Sequence, residues 1–215
     1  MINYISLNIA MEIATTVIAM VFLRYESGAW KKMPMLLLMT CVVEITGRAL
    51  RINKEPNDWV YNIYLIIEAF FISTMYRYLI SSFTSNIRFI GFGGLFLVIL
   101  YIFETISRGF SAYNDITETV MLVLFICYGL YYYYLLIDSE IYHKLSAYPP
   151  FWWVAGTLFF CFGSVVSNLY YTFLSSRAWP LFTSRYSIFN YLNIILYGFW
   201  SYSFICRYRQ RKSIA

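Results

Sequence analysis

Residues 41–51 read CVVEITGRALR and lie inside the apolar run MPMLLLMTCVVEITGRALRI, residues 33–52, yet they carry Glu44, Arg48 and Arg51. Spacings of four and then three residues put all three on one face of a helix. In water that face would be an ordinary solvated stripe. In a bilayer it would need an explanation, so the medium decides how the stretch is read.

Composition identifies the medium. The chain has 215 residues, 60% of them hydrophobic and only 13% charged, whereas soluble domains carry about a quarter charged residues. Five prolines and ten glycines, with no Gly/Ser linker, leave no sign of a second, soluble domain. The expected fold is an all-α integral membrane protein, with residues 1–215 forming a single polytopic transmembrane domain. The net charge of +5 is not gathered on one polar face, so the lipid bilayer, and no nucleic acid, is the expected partner. Cys41, Cys127, Cys161 and Cys206 fall in apolar segments without CxxC spacing and read as small buried hydrophobes. No cofactor or metal is expected.

A spanning helix needs about 20 mostly apolar residues. Seven stretches qualify, roughly 3–23, 33–52, 59–80, 87–107, 115–137, 151–174 and 187–206. Pro34, Pro56, Pro149, Pro150 and Pro180 all lie at segment edges or in loops, where they cost no helix hydrogen bonds. The first segment does not read as a signal peptide, because MINYISLN lacks a basic region and Glu12 interrupts the apolar core.

Basic residues in the short loops set the orientation. Arg24, Lys31, Lys32, Arg77, Arg88, Lys144, Arg207, Arg209, Arg211 and Lys212 gather on one side; Arg48, Arg51, Lys54, Arg108, Arg177 and Arg185 gather on the other. This bias predicts a plasma or inner membrane protein with an external N-terminus and a cytoplasmic RYRQRK tail. Trp30, Trp59, Trp152, Trp153 and Trp179 sit near segment ends, as an interfacial belt requires, and Trp200 does not. Tyr131–Tyr134 read as part of the same belt.

Segments three and seven resemble each other. YNIYLIIEAFFIS from Tyr61 lies over FNYLNIILYGFWS from Phe189, so that Asn62 meets Asn190, Phe71 meets Phe199 and Ser73 meets Ser201. Prolines also open segments two and six. The pattern suggests two three-helix units joined by segment four, a 3+1+3 internal repeat.

An ionisable side chain at membrane depth is a candidate functional residue, and its partner must be named. Glu12, Glu44 and Glu68 fall near segment centres, and Arg48 lies one turn from Glu44. Asn62, Glu118, Asn168, Asn190 and Asn193 lie in the outer halves of their segments. Tyr61, Tyr64 and Glu68 share a helix face, as do Ser164, Asn168 and Tyr171, and Asn190, Asn193, Tyr197 and Ser201. Turned inward, these faces would line a polar cavity open to the external side, with Glu44 and Arg48 paired at its floor. The competing reading is structural: a self-neutralising Glu44–Arg48 pair, Arg51 snorkelling to the interface, and asparagines bonding helix to helix. Glu12 and Glu68 weigh against it. Neither has a basic residue one turn away, so each needs a partner from another helix, a proton or a bound cation.

Other motifs carry less. His143, the sole histidine, lies in a loop as part of ExxH with Glu140, so neither a histidine metal site nor a Ser/His/Asp triad can be assembled. Glu104 and Arg108 read as a surface pair, and Gly91-Phe-Gly93-Gly94 as a place for close helix approach. A segment without lysine at position seven excludes a retinal Schiff base there. The expected function is a carrier, or a ligand- or ion-binding membrane protein, for a small polar solute or cation. The rival is a non-transporting sensor or accessory subunit that binds a partner membrane protein. A channel is a third reading, and an intramembrane enzyme acting on lipid through its carboxylates is the least favoured.

Overall fold

The computed structural model describes residues 7–139, 144–174 and 181–214, with side chains described for 7–139, 144–169 and 188–213. Among these residues there is no strand. Seven α-helices follow one another: α1 (Leu7–Phe22), α2 (Met33–Ile52), α3 (Asp58–Ile80), α4 (Arg88–Arg108), α5 (Asp115–Asp138), α6 (Pro149–Leu174) and α7 (Leu181–Ile214). Short 3-10 turns at Trp30–Lys32 and Leu145–Ala147 lead into α2 and α6. Pro34 sits in the first turn of α2, and Pro149 opens α6, where a missing N–H costs nothing. Gly109 ends α4 at φ +85°, a conformation that suits glycine.

The α2 helix with its leading turn (Trp30–Ile52), α3, α4, α5 and Pro149–Leu169 of α6 are each long and apolar enough to cross a membrane. The described part of α1 has 16 residues, fewer than the 20 or so that a straight crossing takes. The outer surface is compatible with lipid, since Phe92, Phe103, Ile106 and Ile137 are all more than two-thirds exposed. In water such a surface would be a severe aggregation hazard.

The main packing pairs trace a ring in which α1 packs on α2, α2 on α3, α3 on α5, α5 on α6, α6 on α7, and α7 back on α1. The α4 helix lies outside the ring, against α3 and α5. Small residues let the helices approach. A Cβ at Gly156 would stand 2.7 Å from Phe199 Cβ, one at Gly163 2.5 Å from Leu192, and one at Gly129 2.7 Å from Leu158. Of the glycines at the start of α4, only Gly93 is a contact point, meeting the Tyr128 hydroxyl, while Gly91 and Gly94 face open space.

Aromatic side chains fill one half of the ring. Trp153 stacks on Trp200 at 5.6 Å between centroids, and Tyr76 meets Trp153 edge-on at 5.3 Å. The Trp200 indole N–H donates to Thr157 Oγ1 at 3.1 Å. Several belt assignments therefore change. Trp30, Trp153 and Tyr132 are buried because neighbouring helices cover them, whereas Trp59 and Tyr134 stay exposed. Trp179 lies outside the described residues. Cys41, Cys161 and Cys206 are buried, but Cys127 is exposed on the outer face of α5.

The expected end of segment seven, residue 206, also changes. The α7 helix continues through the basic stretch to Ile214 because its cations find partners. Glu26, buried in the α1–α2 loop, accepts Arg207 Nε–H at 3.1 Å and Arg211 Nη1–H at 3.4 Å. Arg207 also lies 5.9 Å over the Trp30 ring, and Arg211 lies 5.7 Å over Tyr25. Tyr202, Ser203 and Gln210 of α7 donate to the Ser146, Pro149 and Ala147 carbonyls. This is the tail end of the bundle. The α2–α3 and α4–α5 loops form the opposite, mouth end.

Candidate functional site: an acidic cavity at the mouth end

Between α1, α2, α3, α5, α6 and α7 lies a cavity of about 500 Å³. Glu12, Glu44, Glu68 and Glu118 line it, with Asp58 and Arg51 near its mouth and Asn57 and Asn193 on its walls. Tyr61, Tyr64, Tyr113 and Tyr197 stand between the carboxylates. Leu65, Met121, Leu122 and Leu196 supply the apolar part of the wall.

The acids lie at different distances from the ends of their own helices. At about 1.5 Å of rise per residue, Glu118 lies some 4.5 Å inside the first residue of α5 and Glu68 some 15 Å inside the first residue of α3. Glu44 lies about 12 Å inside the last residue of α2. Glu12 is one turn below Asn8, whose amide donates to Asn190 Oδ1 at 2.6 Å and fixes α1 against α7.

The tyrosines bond the walls together. Gly47 leaves room for the Tyr61 ring to lie across α2, where a Cβ would stand 2.5 Å from its hydroxyl, and Tyr61 donates to Glu44 one turn away. Tyr64 shares a 2.7 Å hydrogen bond with Thr40. Tyr197 donates to Glu12, and Thr15 and Ser201 share a 3.0 Å bond below it. Glu12 is 2% exposed and its Oε2 has no hydrogen-bond partner among the described residues. None of Glu12, Glu44 or Glu68 has a basic side chain within ion-pair distance among the described residues.

The loop that roofs the cavity is held from below. Asn62, fully buried, donates to the Phe110 and Ala112 carbonyls at 3.0 and 2.8 Å and accepts the Asn114 N–H at 3.0 Å. Glu104 reaches from α4 to cap α5, accepting the Ile116 and Thr117 N–H groups at 3.1 and 2.8 Å and the Thr117 hydroxyl at 2.7 Å. Arg108 bridges Glu104 at 3.0 Å and also pairs with Asp115. The Glu104–Arg108 pair thus forms, but Glu104 is 3% exposed because orphan N–H groups at a helix start draw its carboxylate in. The loop carries Tyr113 over the cavity, bonded to Glu118. Burial, with the Glu118 carboxylate alongside, pushes the Tyr113 hydroxyl well above the usual tyrosine range, so it remains a neutral donor.

Of the residues expected from sequence, Glu12, Glu44, Glu68, Glu118 and Asn193 meet at the cavity, while Arg48, Asn62, Asn168 and Asn190 are not on its wall. Among the described residues the base on the cavity wall is Arg51, one turn further out than Arg48, and Glu44 interacts electrostatically with both Arg51 and Arg48. Asn62 and Asn190 serve as fasteners for the roof loop and for α1. Tyr61, Tyr64 and Glu68 do share the cavity face. On α6, Ser164 is buried with its hydroxyl unpartnered among the described residues, and the Tyr171 side chain lies outside them. Asn57, Asp58 and Tyr113 were not singled out by sequence, because they lie at or beyond helix ends, where periodicity gives no signal. Glu140 and His143 lie outside the described residues.

Among the described residues, no three His, Cys, Asp or Glu side chains converge closely enough to hold a metal ion. The arrangement gathers carboxylates from α1, α2, α3 and α5 around a tyrosine-walled cavity that opens at the mouth end. No family model, curated protein or solved structure matches the chain.

Proposed function

We propose that the chain crosses the bilayer seven times, with its N-terminus external and its C-terminus cytoplasmic, and acts as a carrier or ligand-binding membrane protein for a small polar solute or cation held in the mouth-end cavity. The observation that carries this reading is that Glu12, Glu44 and Glu68 line the cavity with no ion-pair partner among the described residues, an arrangement that is costly at membrane depth unless something compensates it.

Two features favour a carrier. The ring order admits a twofold relation: turning α1–α2–α3 onto α5–α6–α7 carries the α3–α5 contact onto the α7–α1 contact, with α4 as the connector of a 3+1+3 repeat. The closed, aromatic half also holds polar groups that have no partner among the described residues, the Tyr76 and Tyr128 hydroxyls and the Trp153 indole N–H. Opening toward the tail end would hydrate them. The accessory-subunit reading draws on α4, which lies outside the ring with Phe92, Phe96 and Phe103 exposed to lipid or to a partner helix.

Solute counterflow in proteoliposomes, with and without a proton or sodium gradient, tests the proposal. Counterflow that is lost in Glu12→Gln while the protein still folds supports a carrier. Absence of exchange for every cation and polar solute offered, in a folded protein, favours the accessory subunit.

A further inference from the structure

We propose that Glu12 is a proton-binding site, a neutral carboxylic acid sealed into the cavity wall that exchanges its proton with the mouth side. The use of that proton in coupling rests on the reading of the cavity as a solute site. Glu12 on α1 and Glu44 on α2 act on each other, yet their surroundings differ. Glu44 accepts a hydrogen bond from Tyr61 and stands in the field of two guanidiniums, Arg51 and Arg48, all of which favour its charged form. The titratable side chains that face Glu12 offer it no such help. On α2 they are Glu44 and Cys41, on α3 Tyr61 and Tyr64, and on α7 Tyr197. None is a base. Tyr197 donates one hydrogen bond to the carboxyl, while Glu44 repels a second negative charge beside it. Glu12 is also buried, so water does not solvate the charge either.

The orphaned oxygen selects a proton over other cations. Glu12 Oε2 is closed off from solvent and has no hydrogen-bond partner among the described residues. An unpaired oxygen costs far less on a neutral acid than on a carboxylate. A metal ion or an ammonium needs room against the oxygen that binds it, and a metal ion needs further ligands as well. No three His, Cys, Asp or Glu side chains among the described residues could hold one. A proton needs neither space nor a second ligand. Glu12 still belongs to the cavity wall, so a shift of its neighbours by the width of a water molecule brings it into contact with the mouth-side solution. Release breaks the O–H bond, leaves the electron pair on the carboxylate and passes the proton to water.

The test is infrared spectroscopy of the full chain in dodecyl maltoside, a detergent without a carbonyl group. A protonated carboxylic acid shows a C=O stretching band that carboxylates and amides lack, and a free glutamic acid, ionised at neutral pH, is silent there. The expected result is a carboxylic-acid band at neutral pH in the wild type, weaker in Glu12→Gln and shifted in Glu12→Asp. The band should fade on alkalinisation and return on reacidification. Glutamine copies the shape of the neutral acid, so Glu12→Gln should fold, and its failure to fold at neutral pH would count against a neutral Glu12. No such band in the wild type, or a band of equal strength in wild type and Glu12→Gln, would overturn the proton site. Either result leaves the solute reading standing, because counterflow judges that separately. A band that depends on Glu12, in a protein that shows no counterflow, would keep the proton site and overturn the carrier.

Discussion

Arg207 on the last helix donates its Nε–H at 3.1 Å to Glu26 in the first loop, 181 positions away. That single contact, with Arg211 beside it, fastens the first loop of the bundle to its last helix at the tail end. Glu26 is 4% exposed, so removing it leaves two cations with a lost partner and an emptied polar niche. Glu26→Ala should cost about 2 kcal/mol, seen as a lower melting temperature in detergent. It should also raise amide exchange over the last turns of α7. Unchanged exchange there would show that the basic turns stay helical without Glu26.

Glu104 and Asn62 should behave as roof supports. Glu104→Ala strands the Ile116 and Thr117 N–H groups and should cost about 1–3 kcal/mol. Asn62→Ala removes three bonds to the 110–114 loop and should cost about as much. In both variants hydrogen exchange should rise across residues 109–118 before it rises elsewhere. Exchange rising first at the tail end would contradict the assignment.

Helix approach at α6–α7 predicts a contrast between two glycines. Gly156→Ala pushes a methyl to 2.7 Å from Phe199 Cβ and should destabilise by about 1–3 kcal/mol. Gly198→Ala on the facing helix meets nothing within 4 Å and should be neutral or stabilising by up to about 1 kcal/mol. Equal melting temperatures for the two variants would count against this packing.

Periodicity and hydropathy located α2 through α6 to within about two residues, because long apolar runs bounded by proline and charged loops leave few alternatives. They failed at α7, where the helix continues past residue 206 on contacts to Glu26 and Trp30 that no local pattern contains. The carboxylates at depth could be read from one sequence, since an acid in an apolar run stands out. That Arg51 lines the cavity could not: Arg48 and Arg51 share a helix stripe, and only the position of α2 in the ring puts Arg51 on the wall. Glu104 could be read only as half of an i,i+4 pair with Arg108, because its further partners are backbone N–H groups of the next helix.

Thiol labelling separates the cysteines and checks the topology. A membrane-permeant maleimide should modify Cys127, exposed on α5, well before Cys41, Cys161 or Cys206. In a background with all four replaced, Ser111→Cys and Ser213→Cys should react with an impermeant reagent from opposite sides of the membrane. Reaction of both from the same side would overturn seven crossings.

The central claim is that the carboxylate cavity is a solute-binding chamber reached by water. In the cysteine-free background, Asn193→Cys places a thiol on the cavity wall. The account predicts that an impermeant thiol reagent modifies it from the mouth side, that a bound cation slows that reaction, and that during counterflow the same thiol also reacts from the tail side. A thiol that stays unreactive from both sides in folded protein, with or without cation, would contradict it.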